Sequence, residues 1–322
     1  MSREEIIRFL GEDWDRTQAL ICSRLHSDVG LLEQTNVQVL SNTGKMLRPM
    51  VALLMARAVG TPNDDSICYA AASELLHNAT LIHDDVADGS EERRGKPTVS
   101  ALLGAGTAVL VGDYWLARAV DLVVDTTHRD EVIRQFARTL TDLAEGEMLQ
   151  LEKAAAGDTT EADYLRFIHC TTASLFCAAA ESAAVSVDAG PAQRQAAIAY
   201  GSALGIAFQI KDDILDYAGT DSLGKPVGQD LLERKITLPL LGALEGSPRE
   251  AEIRALVRDI PSQPGNCERV RRFVAERDGV GFAARRLSEW VERAVRALDA
   301  FPDSAAREYL AVIARYNEWR QI

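Results

Sequence analysis

Apolar residues recur through most of the chain at three- and four-residue spacing, as in Leu287, Trp290, Val291, Val295 and Leu298. Strict alternation bounded by hairpin signals is scarce, so the pattern predicts an all-α fold. The alanine-rich stretch from Ala178 to Ala184 suits closely packed helices, because a methyl side chain loses no rotamer entropy and lets neighbouring backbones approach. No proline lies between Pro97 and Pro191, which leaves a long central region free to form several stacked helices. Breaks are expected at Gly60 to Asn63, Gly157 to Thr159, Ala189 to Pro191, Ser247-Pro248 and Pro261 to Gly265. No Ser/Gly/Pro-rich linker divides the chain, and a single domain over 1–322 is the simplest expectation.

Charge and composition narrow the function. With 35 Lys+Arg against 48 Asp+Glu the net charge is −13, which argues against a nucleic-acid binder held by a general basic surface. Hydrophobic residues at 47% supply ample material for a core. The longest apolar stretch, around Leu102 to Val111, is interrupted by Gly104 and Gly106 and falls short of the ~18 residues of a membrane span. The charged, amphipathic start does not resemble a secretory signal. Cys22, Cys68, Cys170, Cys177 and Cys267 form no CxxC pair, which fits reduced thiols and a cytoplasmic location.

Two acidic clusters carry the candidate chemistry. Asp84, Asp85 and Asp88 close one apolar helical run, and Asp212, Asp213 and Asp216 repeat the spacing at the end of another. On a helix the first and third acids of each cluster share a face one turn apart. Carboxylates crowded in this way repel one another unless cations bind, and Mg²⁺, which bridges one or two carboxylates to substrate phosphates, is the natural candidate. One such triplet can equally be a solvated helix face. Its repetition leads us to expect two walls holding Mg²⁺ around one diphosphate. Basic residues are available to take up remaining phosphate charge: Lys45 and Arg48, Arg93 and Arg94, and Lys225 and Lys235.

In combination these segments resemble the trans-type polyprenyl diphosphate synthases. The resemblance runs from Gly44 to about Pro239 through GKMLRP at 44–49, ELLHNATLIHDDVAD at 74–88, RRGKP at 93–97 and GDYWLA at 112–117. It continues through GEMLQLE at 146–152, TTASLF at 171–176, FQIKDDILDY at 208–217 and GKPVGQDLLERKITLP at 224–239. The family implies a stack of helices around a deep central cavity, a homodimer, and condensation of an allylic diphosphate with isopentenyl diphosphate, with release of pyrophosphate. By resemblance Asp84, Asp88 and Asp212 are the leading Mg²⁺ ligands, and Asp85, Asp213 and Asp216 give direct or indirect support. Arg93, Lys225 and Lys235 would bind the allylic diphosphate. Lys45, Arg48, His77 and Arg94 would bind the diphosphate of isopentenyl diphosphate. Thr172 and Gln209 match positions whose oxygens steady the allylic carbocation. Tyr217 and Phe208 read as packing residues, and His83 either as structural or as indirect support for the cluster beside it.

Two departures stand out: Thr171 where the family commonly has Lys, and Met46 where it commonly has Arg. In this family an aromatic four or five residues before the first aspartate often floors the product cavity. Here those positions are Thr80 and Ala79, about 6 and about 7.5 Å below Asp84 along a helix axis. The small pair predicts a medium-to-long all-trans product, with Trp115 or Phe136 as an alternative floor. A geranylgeranyl-length synthase, a class I terpene cyclase and a non-catalytic subunit of a heteromeric synthase remain as alternatives.

Overall fold

Asn63 sets the start of the helix that carries the first acidic cluster. Its side chain accepts from Ser66 N at 3.0 Å while the Ser66 hydroxyl accepts from Asn63 N at 3.1 Å, a reciprocal cap that satisfies two orphan donors. In the computed structural model, which describes residues 2–218 and 228–320, this helix runs Asp64–Ala87. The chain divides into two compact units, Met1–Ala137 with Ala178–Ile198 and Ala300–Leu310, and Arg138–Cys177 with Ala199–Asp299 and Ala311–Ile322.

In the first unit the Asp64–Ala87 helix is buried along most of its length, through Tyr69, Ala70, Ala71, Leu75, Leu76, Ala79 and Ile82. It packs chiefly against the Ala105–Val124 helix, whose inner face is Ala108, Val111, Gly112, Trp115, Ala119 and Leu122. Small residues on both faces let the backbones approach closely. The Leu47–Val59 helix, buried almost throughout, closes another side. Trp115 is fully buried and its indole N–H donates to Asn36 Oδ1 at 2.8 Å, so its polar edge is satisfied inside the core.

The second unit has its core in Tyr164, Phe167, Ile210, Leu231, Ile253, Phe273, Leu287 and Val291 among others. The predicted stripe of Leu287 and Val291 is the buried face of the Gly279–Ala297 helix. Pro239 lies in the first turn of the Leu238–Leu244 helix, where its missing N–H has no intrahelical acceptor to lose.

Helix boundaries fall at all five expected breaks. The chain is all-α apart from one feature that periodicity did not predict. Glu92–Arg93 and Lys96–Pro97 pair as a two-stranded antiparallel hairpin. Its two-residue turn is Arg94-Gly95, both at positive φ (54° and 71°), the geometry that matches the twist of tight hairpins. Strands of two residues are too short to show alternation. All five cysteines are free thiols.

Candidate active site

The hairpin and the start of the Leu47–Val59 helix bring cations to the middle of the Asp64–Ala87 helix. Arg94 Nη1 donates to Asn42 O at 2.8 Å, and its guanidinium lies against Gly44, where an added Cβ would stand 2.6 Å from Cζ. The glycine of GKMLRP thus leaves room for the guanidinium of the arginine of RRGKP, which a side chain here would displace. Arg48 is pushed down to about 10 by burial; Glu74 opposes the shift and Arg94 adds to it. Burial and Arg93 lower Arg94, against the pull of Glu74.

His77 lies in the same field. Burial and the nearby Arg48, Arg94 and Arg93 hold it well below its ordinary value, so the imidazole is neutral. Glu74, one turn before His77, was not singled out by sequence. Burial raises its carboxyl, Arg48 opposes, and Asn78 Nδ2 donates to Oε1 at 3.2 Å. Its Oε2 has no hydrogen-bond partner among the described residues. Lys45 is exposed, and its carbonyl accepts from Arg3 Nε at 3.2 Å.

The three acids of the first cluster separate by environment. Asp84 is half-buried and Asp88 exposed at the helix end, whereas Asp85 turns inward and receives Arg93 Nε at 2.7 Å. Burial raises the Asp85 carboxyl and Arg93 opposes it. His83 Nε2 stands 3.4 Å from Asp113 Oδ1 and packs over Gly112. Ala79 is buried, and the Thr80 hydroxyl donates to His77 O at 2.9 Å.

In the second unit the Pro191–Ala218 helix carries the other cluster. Asp212 is half-buried and its Oδ1 lies 2.8 Å from Arg320 Nη2. Arg320 also donates to Phe208 O at 2.7 Å and stacks 4.1 Å from the centre of the Phe208 ring. Asp216 is committed to backbone, accepting from Gly228 N at 3.1 Å, Gln229 N at 3.0 Å and Asp230 N at 3.3 Å. Burial raises its carboxyl and those three N–H groups oppose the rise. Asp230 is raised well above its ordinary value by burial and by Asp213 and Asp216. Lys235 pairs with Glu233 at 2.6 Å, and Lys225 lies outside the described residues.

Thr172 and Gln209 are brought together, with the threonine hydroxyl donating to Gln209 Oε1 at 2.9 Å. Gln209 Nε2 donates to Asp213 Oδ1 at 2.8 Å, and Tyr164 donates to Asp213 Oδ2 at 2.6 Å. Burial raises the Asp213 carboxyl, while the hydrogen bonds from Tyr164 and Gln209 oppose the rise. Thr171 and Thr172 lie in a π-helical turn, His169–Ala173, a wide geometry that recurs at functional sites. Two glycines accommodate it. A Cβ on Gly146 would meet Cys170 Cβ at 2.6 Å and Thr171 Cγ2 at 2.8 Å, and one on Gly205 would meet Ala173 Cβ at 2.8 Å.

The donor chemistry fits Mg²⁺. Among the described residues no three His, Cys, Asp or Glu side chains converge into a closed cage. Asp84 and Asp88 offer carboxylates one turn apart, and Asp212 offers a third in its own cluster. Mg²⁺ is commonly held by one or two carboxylates, with water and substrate phosphate completing its shell, so an open carboxylate pair suits it.

Comparison with known proteins places these features in context. The polyprenyl synthetase family matches residues 29–274. The octaprenyl diphosphate synthase of Haemophilus influenzae is 38% identical over 319 residues, covering 98% of this chain and 96% of that protein. The all-trans-nonaprenyl-diphosphate synthase (geranyl-diphosphate specific) of Rhodobacter capsulatus is 38% identical over 317 residues, covering 97% and 96%. Among solved structures, a decaprenyl diphosphate synthase from Rhodobacter capsulatus superposes with a TM-score of 0.92 at 37% identity, covering 98% of each chain. A polyprenyl synthase from Caulobacter crescentus, complexed with calcium and isoprenyl diphosphate, gives 0.90 at 36% identity, covering 100% and 98%.

Proposed function

The chain belongs to the polyprenyl synthetase family and is a chain-elongating prenyltransferase, and from that premise we propose that it condenses an allylic diphosphate with isopentenyl diphosphate to give a medium-to-long all-trans polyprenyl diphosphate. The observation that carries the substrate assignment is the cationic group of the first unit, where Arg48 and His77 are half-buried and Arg94 reaches in from the surface. Arg94 helps to lower Arg48, Arg93 helps to lower Arg94, and Glu74 opposes both shifts, with neutral His77 adjacent. A crowded excess of positive charge is relieved by an anion, and guanidinium groups match phosphate oxygens in a bidentate fork. In this reading Arg48, Arg94, Lys45 and His77 bind the diphosphate of isopentenyl diphosphate.

Asp84, Asp88 and Asp212 would hold Mg²⁺. When bound, Mg²⁺ supplies Lewis-acid stabilisation of the negative charge that develops on the leaving diphosphate. Arg93, with Lys225 and Lys235, binds the allylic diphosphate once Arg93 exchanges Asp85 for phosphate. Thr172 Oγ1 and Gln209 Oε1 present lone pairs to the allylic carbon as its C–O bond breaks, a fixed dipole that needs no reorganisation during the reaction. The released pyrophosphate takes the final proton.

Ala79 and Thr80 leave the route below Asp84 free of an aromatic side chain, which supports a tail beyond farnesyl length. The proposed assembly is a homodimer through the outer face of the Ala105–Val124 helix, where Val109, Val120 and Val124 recur at helical spacing and are exposed. We place it in the cytoplasm. Free thiols suit that compartment, and among the described residues no helix is long and apolar enough to cross a membrane. Incubating the purified chain with Mg²⁺, radiolabelled isopentenyl diphosphate and allylic primers of several lengths, then sizing the products, tests the proposal. Label in all-trans chains longer than farnesyl is expected. Failure to incorporate label with any primer refutes it.

A further inference from the structure

Behind Thr172 and Gln209 stands a residue that no motif marks. Tyr164 is fully buried in the core of the second unit, and its ring meets Phe167 edge-on with centroids 5.5 Å apart at 82°. Packing therefore fixes the direction of its hydroxyl. That hydroxyl donates to Asp213 Oδ2 at 2.6 Å, the first link of a chain running through Gln209 to Thr172.

The acceptor-only carboxylate of Asp213 sets the direction of the later links, and Tyr164 fixes which way that carboxylate faces. With Tyr164 on one oxygen, Asp213 accepts from Gln209 Nε2 on the other, at 2.8 Å. A primary amide that turns its NH₂ to a carboxylate turns its carbonyl oxygen away from it. That oxygen accepts the only proton of the Thr172 hydroxyl, at 2.9 Å. Thr172 Oγ1 is then left with lone pairs and no proton to offer, the polarity that favours an electron-poor carbon. An inverted Gln209 amide would present N–H groups instead, and their positive ends would repel the same centre.

We propose that Tyr164 is a positioning residue for the reaction: by donating to Asp213 it holds in place the carboxylate that orients the Gln209 amide, and hence keeps the Gln209–Thr172 pair in register with the reacting carbon. The inference rests on the reading of the chain as an allylic prenyltransferase. It adds a residue that touches neither substrate and acts only through Asp213. Removing the phenolic oxygen leaves a buried carboxylate oxygen without its donor, so the carboxylate is free to rotate and its other oxygen no longer holds the Gln209 NH₂ in one place.

The test is a double-mutant cycle on the full-length enzyme with Mg²⁺, farnesyl diphosphate and isopentenyl diphosphate. Tyr164→Phe is expected to lower kcat by about tenfold or more with KM for isopentenyl diphosphate within twofold of the parent, the pattern of a lost transition-state interaction. In a Gln209→Met background the same substitution is expected to change kcat by less than twofold. A kcat for Tyr164→Phe within twofold of the parent, or effects that multiply in the double variant, overturns the proposal. A measurement on the unaltered fold stands beside it: in glutamine-labelled protein, the side-chain amide resonance that Gln209→Met removes is expected to be protected from solvent exchange. An unprotected amide overturns the proposal too. Absence of activity in the parent chain would instead sink the functional reading, so the two failures are distinguishable.

Discussion

Gly205→Ala joins the fold of the second unit to its chemistry in one methyl group. A Cβ at this position would lie 2.8 Å from Ala173 Cβ and 3.1 Å from Phe176 Cδ2, and closer still to the Ala173 backbone. Carbon atoms rest at about 3.5–4.0 Å, so the π-helical turn must move by roughly 0.7 Å or more to admit the methyl. Ala173 is main chain at the point of contact and cannot swing aside as a flexible side chain would. Overpacking of this kind costs about 1–3 kcal/mol. With an unfolding entropy of about 2.1 cal/mol/K per residue, a chain of 322 residues loses roughly 1.5–4 °C in Tm. The catalytic effect should be larger than the thermal one. Thr172 adjoins Ala173, and a misplacement of about 1 Å in a reacting constellation reduces turnover by about a hundredfold. Differential scanning fluorimetry alongside steady-state condensation assays reads both quantities. An unchanged Tm with kcat within twofold of the parent would refute the claim that Gly205 is present for close approach to the turn.

Other substitutions probe different parts of the site. Ala79→Phe is expected to shorten the longest product by at least one five-carbon unit in a product-sizing assay; an unaltered distribution rejects Ala79 as a length determinant. Thr171→Lys restores a cation beside the π turn and is expected to lower KM for the allylic primer severalfold, whereas an equal or higher KM would mean that other cations already supply this charge. For His77, the folded chain holds the imidazole below its ordinary 6.5, so the unfolded state binds more protons as pH falls through that value. Stability should therefore decline between pH 7.5 and 5.5, and His77→Gln should decline less, as read from denaturant midpoints; equal declines in the two proteins would contradict a buried neutral imidazole.

The long helices were legible because their boundaries rest on local chemistry. The break before Asp64 is written in a proline and a capping asparagine, and the central helices lie in a proline-free span. The acidic clusters were equally visible, but spacing alone does not say which carboxylates turn inward. Asp85 turns to Arg93 on the following hairpin, and Asp213 to Tyr164 from another helix, with Gln209 one turn before it on its own helix adding a second donor. Arg320 escaped notice for the same reason, since its partner lies more than a hundred positions away. Glu74 did leave a local signal, an acid within an otherwise apolar helical run, and asking what neutralises it would have led to Arg48. The hairpin at Arg94-Gly95 was invisible to periodicity, although its glycine was a fair indication of a turn.

The contact between Arg320 and Asp212 carries a consequence for how much metal the enzyme demands. A guanidinium and a divalent ion cannot occupy the same carboxylate oxygen, so in the proposed role of Asp212 as a Mg²⁺ ligand its apparent affinity would be the intrinsic one scaled by the fraction of time the arginine is undocked. Arg320 would then be a tethered competitor for that oxygen, and neutralising it would shift a magnesium titration to lower concentration without altering a proposed ligand.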